Sequence, residues 1–244
     1  MSTDPLPPSL TEWAATAQPF ATPHTLRRYL AAHHTPEAAL RALKATHSWR
    51  AAAIDPAFIC PMCAARPGAH CFIPIGHDAA GAAIIYGCPA RASEGGEVEK
   101  TIAHCVNALE KQFSAEPSGC QQWVWVVDFT GFGMTHALQA RLGASFATVF
   151  RDHFPERLKA ILLLNPPLLF RMLVGAIGAV ADARTMAKLR VVEAEGAEAM
   201  CERLRAEQGV EDPSVLAWLG AALASPPVPG TLAPVPPGAA ALQV

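Results

Sequence analysis

Two continuous apolar runs organise the chain. Residues 123–129 (WVWVVDF) and 158–164 (LKAILLL) each close on a polar turn, and a helical pattern separates them. Runs that do not alternate read as parallel strands buried on both faces. Upstream, Thr22-Pro23 and Thr35-Pro36 each place a capping hydroxyl before a proline at the first helical position. The helices they open carry Leu26, Tyr29 and Leu30, then Ala39, Leu40 and Leu43, and end near Trp49-Arg50. A strand is expected over 82–86. A helix over 97–113 aligns Val98, Ile102, Cys105, Val106, Leu109 and Phe113 on one stripe. Another over 135–152 buries Leu138, Leu142, Phe146, Val149 and Phe150, and Pro155 marks its end.

The second strand leads into a helix over 168–183, a short strand over 189–192 and a charged helix over 195–208. A last helix, capped by Asp212-Pro213, runs to about residue 224. Strand–helix alternation from 82 to 192 predicts an α/β fold with a mixed, largely parallel sheet flanked by helices. The expected division is an irregular Pro/Ala-rich segment 1–21, a helical subdomain 22–55, the α/β domain 56–224, and a disordered Pro/Ala/Gly-rich tail 225–244. Residues 51–81 are poorly periodic, and no internal repeat is visible.

The chain is 51% hydrophobic and 16% charged, against a usual charged share of about 25%. That describes an apolar globular protein. A net charge of −2 leaves no electrostatic footprint for nucleic acid or for bulk adhesion to anionic membranes. The N-terminus lacks the basic and apolar regions of a secretory signal, so a cytoplasmic protein with reduced cysteines is expected. The window 161–180 has the length of a membrane span. It holds Asn165, Pro166, Pro167 and Arg171, however, and the double proline splits it into a strand and a helix.

That helix is apolar nearly all round. Leu169, Met172, Leu173, Ala176, Ile177 and Val180 fill one face, while Phe170 and Val174 widen it. Such a helix is either a central core element or the wall of an apolar cavity.

Several segments resemble, in order, the CRAL-TRIO family of lipid-binding and lipid-transfer proteins. Residues 28–50 resemble its N-terminal helical signature, from Arg28-Tyr29-Leu30 to Trp49-Arg50. Asp78 to Tyr86 is similar to its Asp-x-x-Gly approach to the first strand, although Ala82-Ala83 replace the usual Arg-Pro. Val127-Asp128-Phe129-Thr130-Gly131 is similar to its Val-Asp-x-x-Gly strand end. Phe154-Pro155-Glu156-Arg157 and Leu164-Asn165-Pro166-Pro167 resemble the next pair of motifs. Asp182 to Leu189 resembles Asp-x-x-Thr-x-x-Lys-Ile. The resemblance spans about 25 to 192, and the family's C-terminal Gly-Gly strand has no clear counterpart.

The resemblance implies a hydrophobic lipid pocket floored by the sheet and no enzymatic activity. It implies phosphatidylinositol-type ligands held by Glu156 and Lys188, with Thr135 and His33 at further headgroup positions. At two of these the chain departs from the family: Gly133 stands where a second hydroxyl is expected, and His33, with His34 beside it, where an arginine is. Leu169, Met172, Leu173, Ile177 and Val180 become the gate of that pocket. The partners implied are a phospholipid or another hydrophobic small molecule, such as a tocopherol- or retinoid-like ligand, and transiently a membrane surface. No cofactor is implied.

One constellation stands outside the resemblance. Cys60-Pro61-Met62-Cys63, followed by His70-Cys71 and His77, offers soft ligands. Cys60, Cys63, His70 and Cys71 match the residue types of a tetrahedral zinc site or a redox dithiol. The spacing is irregular, and the set equally reads as thiols without function, so no metal is expected. No nucleophile elbow or phosphate-binding glycine loop is present. Asp128, at a strand end, reads as the structural cap of the turn to Gly131.

Overall fold

The computed structural model describes residues 5–93, 97–115, 120–137, 140–168, 170 and 183–231. Five strands form one sheet in the order β1(Phe72–His77), β2(Ala83–Gly87), β3(Trp123–Asp128), β4(Leu158–Leu164), β5(Leu189–Val192). β1 runs antiparallel to β2, and every other neighbouring pair is parallel. The mixed, largely parallel α/β sheet expected from the sequence is the fold observed.

Because β2 to β5 advance in one direction, right-handed crossovers put the connecting helices on one face. These are α5(Val98–Ala115) and α7(Ala140–His153), with the single turn α6(Met134–Ala137) before α7. Their apolar stripes meet Phe72, Ala83, Ile85 and Trp123. The short helix α8(Ala183–Ala187) leads into β5, and α9(Gly196–Gln208) and α10(Pro213–Ala224) cover the opposite face. There Met200, Leu204, Val215, Trp218 and Leu219 pack on Ile84, Tyr86, Val126, Leu162 and Leu164.

The helical lead-in has its own core. α2(Pro23–His33) and α3(Pro36–Ala53) begin as their caps predict, with Thr22 and Thr35 hydroxyls accepting from the amides of Thr25 and Ala38. Residues 8–14, expected to be irregular, form helix α1(Pro8–Ala14). Pro8 sits at the first helical position, where proline is tolerated, and Leu10 and Ala14 close the core made by Leu26, Tyr29, Ala39 and Leu43. Trp49 then stacks on His153 at 4.0 Å, and Arg50 makes a two-pronged ion pair with Glu110 at 2.6 Å, tying α3 to α7 and α5.

Two further expectations are corrected. β1 lies in the stretch read as poorly periodic, because Pro74 and Gly76 disguise it. Proline is admitted on an edge strand, and the register shifts between Pro74 and Gly76. Gly76 has φ +142°, and a Cβ there would clash with Val215 Cγ2 of α10. The tail, expected to be disordered from 225, stays docked through 231. Buried Arg91 donates to the carbonyls of Ala222 and Ser225 at 2.9 and 2.8 Å, and Gly230 N–H donates to Arg91 O at 2.7 Å. Residues 232–244 lie outside the described residues, as do Leu169, Met172, Leu173, Ile177 and Val180 of the expected gate.

Candidate functional site

The polar centre lies at the amino ends of β4 and β5. Glu156 lies in the turn before β4 and Lys188 directly before β5, so the parallel pairing of these strands brings both to the same edge of the sheet. Lys188 Nζ is 3.6 Å from Glu156 Oε2, and Arg184 Nη1, from α8, is 3.4 Å from Glu156 Oε1. Arg184 also donates to Ala31 O at 3.0 Å, and its other prong lies 3.4 Å from His34 Nε2. Two basic side chains thus flank one carboxylate, and all three groups are partly exposed.

Helix α2 braces the loop that carries Glu156. Buried Arg28 donates to Pro155 O at 3.1 Å, and Tyr29 hydroxyl donates to His153 O at 3.1 Å. Gln122 Nε2 donates to Glu156 O at 3.2 Å. These contacts hold Glu156 at φ +58°, a left-handed conformation that a non-glycine residue adopts at a cost. Retained strain of this kind concentrates at functional sites.

Of the four headgroup positions inferred from the resemblance, the structure brings two together, Glu156 and Lys188. His33 does not join them. It stacks on Tyr29 at 6.1 Å, and burial lowers its pKa below the ordinary histidine range. Its neighbour His34, turned by φ +64° at the end of α2, faces Arg184 instead. Thr135 is exposed on α6, which follows the carboxyl end of β3. It therefore stands a strand length, about 20 Å, from Glu156. Arg184 escaped the sequence reading, although it lies inside the quoted Asp182–Leu189 motif.

The same sheet carries an incompletely covered apolar patch. Across β3, β4 and β5 two rows share the face of α5 and α7: Trp125, Ile161 and Leu189, then Val127, Leu163 and Val191. Only Leu163 among them is fully buried, and Val191 is 46% exposed. At the carboxyl edge Phe170 packs on Phe129 at 4.3 Å and on Phe132 at 5.9 Å, extending the apolar surface. A separate cleft of about 360 Å³ lies at that edge, lined by Asn165, Pro166, Glu193, Ala194 and Glu195. With two carboxylates in its wall it is a poor lipid site. Asn165 there serves the sheet, exchanging hydrogen bonds with Ala194 at 2.9 and 3.0 Å.

Asp128 is structural. Its Oδ1 accepts from Thr130 N–H and hydroxyl at 2.9 and 2.7 Å, and its Oδ2 accepts from Tyr86 hydroxyl at 2.6 Å. The turn closes through Gly131 at φ +73°. Asp78 does the same before β2, accepting from the amides of Ala80 and Ala82 at 2.9 Å and pairing with Lys159.

The cysteine cluster assembles with a different membership. Ligand atoms of Cys60, Cys63, His70 and His104 all lie within 4.8 Å of one another, while Cys71 turns away into the opposite core with Ile73 and Tyr86. Cys71 is corrected out of the set: its left-handed backbone at φ +42° leads into β1, where it falls on the face of Ile73 and away from His70. His104, from α5, takes its place. Burial pushes the Cys63 thiol up, with the Cys60 sulfur adding to the effect, and pushes His104 down to about 4.

No described helix is long and apolar enough to cross a membrane. Residues 68–211 match the sequence model of the CRAL/TRIO domain. No curated protein matches the chain at a significant level. Among solved structures, the crystal structure of Sfh5 aligns with 79% of this chain and 77% of that one, with a TM-score of 0.63 and 16% identity. At that identity the likeness is one of fold.

Proposed function

Because the chain belongs to the CRAL/TRIO family, whose members bind small lipophilic molecules, we propose that it holds a phosphatidylinositol-type phospholipid and transfers it between membranes. The pairing of Glu156 with Lys188 and Arg184 carries the reading. An inositol phosphate offers hydroxyl donors to a carboxylate and an anion to cations. The lipid phosphate would draw Lys188 and Arg184 while Glu156 accepts from ring hydroxyls.

The acyl chains would lie over the Trp125–Ile161–Leu189 and Val127–Leu163–Val191 rows, each buried methylene contributing about 0.8 kcal/mol. The apolar sequence 168–183 would supply the facing wall, and its displacement at a membrane surface would let lipid exchange. The protein would act in the cytoplasm and touch membranes transiently.

The test is native mass spectrometry with organic extraction of the co-purifying ligand, followed by transfer of labelled phosphatidylinositol between vesicles. Lys188→Ala and Glu156→Ala should each weaken headgroup capture by about ten- to a hundredfold, the worth of a hydrogen bond to a charged group. Val191→Asp, at an already exposed position, should cut loading without unfolding the chain. Leu173→Asp should slow transfer. Undiminished transfer by Lys188→Ala, or extraction of a ligand without phosphate, would overturn the headgroup assignment and favour a tocopherol- or retinoid-like cargo.

A further inference from the structure

We propose that Cys60, Cys63, His70 and His104 form a closed, four-ligand zinc site that fastens the 60–71 segment to helix α5. Nothing in the lipid reading requires it, and the two stand or fall separately.

Ligand chemistry comes first. Two sulfurs and two imidazole nitrogens are a set that zinc takes in tetrahedral structural sites. With Zn–S near 2.3 Å and Zn–N near 2.0–2.1 Å, a tetrahedral S···N edge is about 3.6 Å. Cys63 Sγ lies 3.7 Å from His104 Nδ1. The two imidazole rings stand side by side, their centroids 4.8 Å apart. Cys60, His70 and His104 are buried, at 2%, 6% and 5% exposure, with Cys63 at the rim. Four protein ligands with no carboxylate and no open face describe a structural centre rather than a catalytic one.

The outer partners of both histidines are the second observation. His104 Nε2 lies 3.3 Å from Phe72 O. A carbonyl only accepts, so Nε2 carries the proton and the lone pair sits on Nδ1, the atom facing Cys63. Thr101 hydroxyl lies 3.0 Å from Glu97 O and 3.2 Å from His70 Nδ1. Donating to the carbonyl, it accepts from His70 Nδ1–H and leaves the His70 lone pair on Nε2. Each imidazole thus has a hydrogen-bond partner on its far side, the arrangement that orients metal-bound histidines.

Topology explains what the ion would do. The segment between α3 and β1 holds only the five-residue helix α4(Pro61–Ala65). A zinc ion would join it to α5, whose stripe forms the core beneath β1 and β2.

The experiment uses the whole reduced chain, first stripped with chelator, then titrated with Co²⁺ and back-titrated with Zn²⁺. One equivalent of Co²⁺ should bind, with the intense visible bands of a tetrahedral ion and a thiolate-to-cobalt charge-transfer band, and zinc should displace it. Cys63→Ser should lose most of the charge-transfer intensity, and Cys120→Ser, outside the cluster, should keep it. Thr101→Val, which removes only the outer partner of His70, should weaken zinc about ten- to a hundredfold. It keeps the test open if Cys63→Ser fails to fold. Folded, reduced wild-type chain that takes up less than a tenth of an equivalent would overturn the site. So would a spectrum left unchanged by Cys63→Ser or an affinity left unchanged by Thr101→Val.

Discussion

Arg50→Met tests how firmly the helical lead-in is joined to the sheet domain. The guanidinium meets Glu110 through two hydrogen bonds of 2.6 Å and lies 5.1 Å from the Phe20 ring centroid. The side chains are 23% and 9% exposed, so the pair is largely withdrawn from water. Removing the arginine leaves a carboxylate in the helix interface without its main partner. Breaking one side of a buried pair costs about 3–5 kcal/mol. The attraction of Glu110 to Arg28 and Arg157 acts on the same buried cluster and favours the lower end. For a chain of this length each kcal/mol moves Tm by about 2–4 °C, so a fall of about 6–12 °C is expected. Replacing both partners, as Arg50→Met with Glu110→Met, removes the stranded charge and should recover most of the loss. Differential scanning calorimetry and urea unfolding of the two single variants and the double measure the cycle. A loss under about 1 kcal/mol for Arg50→Met, or losses that simply add, would show the pair to be a solvated surface contact.

Two further outcomes follow from buried polar groups and close backbone approach. Tyr86→Phe removes one of three hydrogen bonds to Asp128 and should lower stability by about 1.5–3 kcal/mol in urea unfolding. Vesicle binding by the folded fraction should be unchanged, because Asp128 holds a turn rather than a ligand. Gly68→Ala would place a Cβ 2.6 Å from the backbone carbon of Thr231. The docked tail, whose Gly230 forms an isolated antiparallel bridge with Gly68, should lift, seen as faster limited proteolysis within 225–231, and an unchanged cleavage rate would show that this bridge does not hold it.

The parallel strands were legible because β3 and β4 carry apolar residues on both faces, with Lys159 near the start of β4 the one interruption before Asp128 ends β3. The helix starts were legible for a local reason: a threonine or aspartate cap followed by proline gives its orphan amides a nearby acceptor, as at Thr22, Thr35 and Asp212. β1 was hidden because its pairing is decided by β2 and its packing by α10, neither of which is local to F-I-P-I-G-H. The tail was hidden likewise: its order depends on Arg91, more than a hundred residues away. Composition cannot register one buried guanidinium reaching two carbonyls.

The two polar centres divide along the same line. Glu156 and Lys188 could be paired in advance only by borrowing the family's arrangement, since 32 residues separate them and they meet only where the turn before β4 lies beside the start of β5. The departure at His33 then mattered more than the match. The His33 ring stacks on Tyr29 away from the Glu156–Lys188 pair, and the left-handed turn at the end of α2 offers His34 and the Arg184 contact in its place. At the cysteine cluster, linear spacing pointed to Cys71 because it adjoins His70. Its backbone, at φ +42°, leads into an edge strand where successive side chains part to opposite faces. That sends Cys71 to the α10 side and leaves His70 beside α5, so the fourth ligand had to come from the helix that crosses beneath β1. His104 sits on that helix with Cys105 and Val106 as core neighbours, and nothing in its own surroundings marks it. A metal set drawn from one loop and one crossover helix becomes visible only when the sheet order is known, because the sheet brings α5 to the loop.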